Sequence, residues 1–165
     1  MALLIKIKKV INSMTNVALV FFVGIMFTLV ITQTLSRYIF KFPIFWAEEL
    51  SRYLMIWSCF LGAALAIRDD EHVALTFLEG RIPKKIRVFI RIFLIIMIMF
   101  FLFIFMKNGF SLLSNQARQV SPGMRISMWI PFLALPVGGT LMFFEYLFKL
   151  LNQVVLIRKK EEDEK

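Results

Sequence analysis

The chain has 165 residues, 59% of them hydrophobic, and a formal net charge of +9. Soluble domains run about 45–50% apolar, and nineteen Phe with ten Met are more than a small water-soluble core can hold, so the composition excludes an ordinary soluble domain and indicates a membrane protein. The positive balance is not that of a nucleic-acid binder, because the basic residues gather at the ends of apolar runs rather than along one polar face. A lone cysteine, Cys59, excludes an internal disulfide and a Cys-rich metal site, and a lone histidine, His72, excludes haem held by two histidines of this chain.

Four apolar runs, at about 17–35, 50–67, 88–106 and 128–147, are each long enough to cross a hydrocarbon core, which takes about 20 helical residues. The chain is therefore expected to be all-α: one membrane domain over 1–165, with four transmembrane helices and a charged tail at 158–165. The first run follows Lys6, Lys8 and Lys9, but it is too long for a signal-peptide core and no small-x-small cleavage pattern follows it, so it is expected to remain as a span. With four spans both termini share a side with the loop between spans two and three. That side carries fourteen of the twenty Lys and Arg; the other six are Arg37, Lys41, Arg52, Lys107, Arg118 and Arg125. The positive-inside rule then places both termini in the cytoplasm.

Span one carries Gly24, Thr28, Thr32 and Ser36 at four-residue spacing, a stripe that reads as a helix-packing face rather than a polar pathway. Span two opens with the stretch FPIFWAEELSRYLMIW. Pro43 stops the preceding chain, and Glu48 and Arg52 form an i, i+4 pair with the acid first, suited to a helix start. Such a pair needs no chemistry to explain it. Glu49 points elsewhere and is the less committed carboxylate, divided between surface and partner contact. At 100° per residue, Trp46, Leu50, Tyr53, Trp57, Phe60 and Ala64 share one face, expected to meet lipid or a partner. Glu48, Arg52, Met55, Cys59, Gly62, Ala63 and Ala66 share the other, which is narrow enough to pack against helices.

The next stretch, RDDEHVALTFLEGRIPKKIR, contains an Asp-Asp-Glu-His cluster that lacks the second imidazole and alternating carboxylates of a metal site, and reads as a solvated cap. The segment at about 72–80 is too short to span and is expected to lie along the interface as a short helix. Pro83 suits the first turn of the helix that follows. Span three, IFLIIMIMFFLFIFM, has no small residue and is expected to face lipid or an irregular partner. Span four holds Pro131, Pro136, Gly138 and Gly139, which permit a kink and close backbone approach. Glu145 has Lys149 one turn later and reads as a rim pair of little consequence.

At RYIFKFPIFWAEELSRYLMIWSCFLGAALAIRDDEHV the chain resembles the small membrane subunit, often called the Q subunit, of the tripartite ATP-independent periplasmic (TRAP) transporters. The resemblance rests on Arg37, Tyr38, Phe40, Pro43, Trp46, Glu48, Glu49, Arg52, Trp57, the run Leu61 to Ala64, Arg68 and Glu71 to Val73, followed by the basic segment Pro83 to Arg87. It implies a non-catalytic subunit of the bacterial inner membrane, bracing a much larger membrane subunit that moves as an elevator. A soluble periplasmic binding protein would deliver an organic acid such as a C4-dicarboxylate, a sialic acid or another sugar acid. The substrate and coupling-sodium sites would lie in the large subunit, leaving this chain without a cofactor. Arg37, Tyr38, Pro43, Trp46, Glu48, Glu49, Arg52, Tyr53, Trp57, Gly62, Arg68 and His72 are then candidate structural or partner-contact residues rather than ligands of substrate. Two other classes fit the residues less well. A small proton-coupled homodimeric exporter needs a carboxylate within a span, and the first three spans have none. A membrane enzyme needs a nucleophile with a base, paired metal ligands or a phosphate loop, and no such motif occurs.

Overall fold

The computed structural model describes residues 2–69 and 84–163. Within them α1 runs Ala2–Tyr38, α2 Phe45–Asp69, α3 Lys84–Gln116, α4 Trp129–Phe132 and α5 Ala134–Asp163. The segments Lys8–Tyr38, Phe45–Arg68, Val88–Gln116 and Trp129–Gln153 are long and apolar enough to cross a membrane, and each contains one of the four expected runs or all but its first residue. The expected interfacial helix, with His72, all of the Asp-Asp-Glu-His cluster but its first residue Asp69, and Pro83, lies outside the described residues. α5 continues as helix through the basic and acidic tail to Asp163.

The connections follow from local chemistry. Ser36 closes the α1–α2 turn in both directions: its hydroxyl donates to the Phe42 carbonyl at 2.5 Å, and its carbonyl accepts from the Phe42 N–H at 3.1 Å. Lys41 takes a left-handed conformation there, with φ 55°. In the fourth span α4 and α5 are separated by Leu133, which itself keeps right-handed helical angles (φ −61°, ψ −20°). Leu133 N–H bonds the Trp129 carbonyl at 2.9 Å and Val137 N–H the Leu133 carbonyl at 3.2 Å, carrying the helical pattern across the join. Pro136 sits in the first turn of α5, where its missing N–H costs no helical bond.

The long helices form an open row in the order α1, α2, α5, α3, with α4 touching α2 and α3; among the described residues no Cα of α1 lies within 8 Å of α3 or α5. The accessible surface is 12050 Å², against about 8,500 Å² expected for a compact monomer of this mass. The excess belongs to an unclosed bundle.

α5 is the keystone because two consecutive glycines point about 100° apart. A Cβ at Gly138 would fall 2.5 Å from Phe60 Cβ of α2, and one at Gly139 would fall 3.0 Å from Met106 Cγ of α3. This reverses the expectation for span two. Its aromatic face is packed, with Phe60 against Gly138 and 5.9 Å from the Phe105 ring. Trp57 stands edge-on to Phe22 at 6.1 Å, and Ala64 is buried. The other face is open at Met55, Cys59 and Ala66. The reason is complementarity of size: the bulky face of α2 meets Gly138 of α5 and the Phe22 ring of α1, so rings enter the interfaces and small residues are left outside. Gly62 behaves as expected, with a Leu19 methyl 3.9 Å from its would-be Cβ.

Two other expectations also change. Gly24 has nothing within 4 Å of its would-be Cβ, and Thr28 and Thr32 are exposed and bond back to the Gly24 and Thr28 carbonyls at 2.9 and 2.8 Å, so this stripe is not a packing face within the chain. Span three does expose Phe89, Phe93, Met97, Phe100, Phe101 and Phe103. It nevertheless makes a close contact, because its neighbour supplies the glycine.

Candidate functional site: the charged end of the second helix

Where α2 begins, two adjacent carboxylates take up different work. Glu48 points along the helix surface and lies between two arginines, 3.1 Å from Arg37 Nη2 of α1 and 3.4 Å from Arg52 Nη2 one turn on. The expected i, i+4 pair is present, and Arg37 extends it into a tie between α1 and α2. All three side chains are roughly half exposed or more, so the network holds direction more than it adds stability.

Glu49 is the more committed carboxylate, contrary to the sequence expectation. Its Oε2 accepts the N–H groups of Gly123 and Met124, each at 2.8 Å, and its Oε1 accepts the Tyr53 hydroxyl. Successive backbone N–H groups make a small anion-binding concavity, and here the anion is a side chain of the same protein. Glycine at 123 lets the carboxylate come this close to the backbone, since a Cβ would fall 2.5 Å from Glu49 Oε2 and push it aside. The clasped segment is a short hairpin between α3 and α4. Ser121 N–H bonds the Ile126 carbonyl at 2.8 Å and Met128 N–H the Gln119 carbonyl at 2.9 Å, around an isolated bridge of Val120 with Ser127. Arg125 turns its corner with φ 55°. Tyr53 also lies 3.4 Å from Met128 Sδ, so one turn of α2 holds both ends of the hairpin.

Phe45, Glu48, Glu49, Arg52, Pro122 and Gly123 line an open groove of about 340 Å³ at this end. Tyr38, Pro43 and Trp46 are exposed. The other candidates lie elsewhere: Trp57 and Gly62 are packing residues farther along α2, Arg68 is half-buried near its far end, and His72 is outside the described residues. Among the described residues, no three or more His, Cys, Asp or Glu side chains gather as a metal site would require. The arrangement can hold a surface in shape; it offers no nucleophile and base to a reacting atom.

Sequence reasoning missed two partnerships. The dipeptide Pro122-Gly123 signals a turn, but nothing in the spacing ties it to a carboxylate 74 residues earlier. Glu145, read as a rim residue, is 5% exposed and lies 3.0 Å from Lys8 of α1.

Residues 26–156 match the family described as "Tripartite ATP-independent periplasmic transporters, DctQ component". The chain is 28% identical over 153 residues to the sialic acid TRAP transporter small permease protein SiaQ of Vibrio cholerae, covering 92% of this chain and 87% of that one. It is 34% identical over 105 residues to the C4-dicarboxylate TRAP transporter small permease protein DctQ of Rhodobacter capsulatus, covering 62% and 46%. It is also 35% identical over 122 residues to the sialic acid TRAP transporter permease protein SiaT of Haemophilus influenzae; that match covers 73% of this chain but only 20% of the longer protein. With most of its length matched and four helices of spanning length, the chain is a multi-pass membrane protein, not an enzyme, and it belongs to the DctQ small-permease family of TRAP transporters.

Proposed function

We propose that this chain is the small permease subunit of a sodium-driven, binding-protein-dependent transporter for an organic acid, sialic acid or a C4-dicarboxylate, and that it braces a large transport subunit in the inner membrane. The observation that carries the reading is the SiaT match: a segment like this one makes up a fifth of a much longer permease, while in SiaQ it makes up nearly all of a small one. A module found both joined to a large permease body and as a separate small protein is expected to work against such a body. The open row supports this, since a bundle with so much surface beyond the compact value has room for a partner. The fourteen-to-six split of basic residues supports cytoplasmic termini. The Glu48 and Glu49 end would then face the periplasm, where a soluble binding protein would dock.

The test is reconstitution. Liposomes holding this chain alone, with the binding protein and a sodium gradient, should take up neither sialic acid nor succinate. Adding the large subunit should restore uptake of one of them. Uptake by this chain alone would overturn the bracing role.

A further inference from the structure

α1 and α5 are not neighbours along their backbones, since no Cα of one lies within 8 Å of the other among the described residues. One side chain nonetheless joins them. Lys8 Nζ of α1 lies 3.0 Å from Glu145 Oε2 and 5.2 Å from the centre of the Phe148 ring, so the ammonium meets a carboxylate and an aromatic face together. No hydrogen bond supplements the ion pair at this oxygen. Beside it, Thr15 of α1, Ala64 and Leu65 of α2, and Leu141 and Phe144 of α5 line a cavity of about 20 Å³. Small Ala64 leaves the gap across which the lysine reaches.

The two partners differ in what they lose on separation. Lys8 is a flexible cation near the start of a helix, and its side chain retains 26% of its accessible surface; released, it can carry its charge back to the membrane surface. Glu145 is 5% exposed, beside a cavity lined by three helices in which Asn12 and Thr15 are the polar neighbours besides Lys8. Its short side chain has no such exit, so an unpaired charge there is costly. Among the described residues the α1 backbone approaches α2 alone, along the most extensive helix pair of the chain. Of its most apolar stretch 6% is buried, and its tie toward α5 is at this end.

We propose that Lys8 and Glu145 form a latch that sets where this end of α1 lies. Closed, it draws α1 across α2 onto α5; open, α1 hangs from α2 only, free to move away from the row. Both are positioning residues.

The experiment uses the full chain in native membranes, with Cys59→Ser as background and the pair Ile11→Cys and Leu141→Cys, two residues that face the same cavity. A short bifunctional thiosulfonate joins them, and the readout is the crosslinked fraction of extracted, folded chain. Glu145→Met should lower that fraction at least fivefold, as should Lys8→Met combined with Glu145→Met, which leaves no buried charge to cause misfolding. Exchanging the two charges (Lys8→Glu with Glu145→Lys) should bring it back to within twofold of the starting value. A crosslinked fraction unchanged in Glu145→Met or in the double methionine variant would overturn the latch.

Discussion

Glu49 and Glu145 are both carboxylates on packed helices, and each ties its helix to a distant part of the chain, yet they do so by opposite means. Glu49 accepts two backbone N–H groups and a phenol at an end open to a wide groove. Glu145 is enclosed and meets the tip of a long, mobile lysine. A carboxylate on backbone donors fixes the shape of a loop through its main chain, given a glycine where the carboxylate comes closest. A carboxylate on one lysine fixes the placement of a helix and depends on that lysine. The first is a permanent joint, the second a reversible one.

Lys8→Met should have the largest effect on stability, about 3 kcal/mol, because it strands a buried acid, whereas Glu145→Met should cost less than about 1 kcal/mol because the freed lysine reaches water. Thermal unfolding in detergent would show the asymmetry; equal losses would make the inner contact as fixed as the outer one. Gly138→Ala should follow at about 2 kcal/mol, since the new methyl meets the Phe60 Cβ and a packed helix pair can relieve the overlap only by shifting. Glu49→Ala should cost about 1 kcal/mol, by exchanging bonds to a charged acceptor for bonds to water in the open groove. That loss should be confined to the hairpin, read as faster amide exchange at Gly123 and Met124 with slow exchange kept in α2. Glu48→Gln should be smallest, below about 1 kcal/mol. A Glu48 effect exceeding that of Glu49 would reverse the ranking of the two neighbours.

The four spans and the Glu48–Arg52 pair are legible because each depends on residues close in sequence: about twenty apolar positions, a spacing of four. The facing of α2 was not legible. In a soluble helix the apolar side is the inner side, but in a membrane both the lipid and the neighbouring helix are apolar, and only fit of sizes decides. Trp57 and Phe60 were read as outward because they are large; they turned inward because Phe22 and Gly138 accommodated them. Glu49 was misjudged for a related reason. Its donors are backbone groups of a hairpin, and backbone groups carry no sequence signature.

The paired glycines of α5 also limit how this protein can move. Phe60 sits against Gly138 and Met106 against the adjacent Gly139, so α2 and α3 are seated on α5 at nearly the same height, one on each side. Neither helix can slide along α5 by a fraction of a turn without driving a side chain into backbone, and the next comparable register lies about 5.4 Å away, at positions where no second glycine waits. The two contacts act as detents against piston motion.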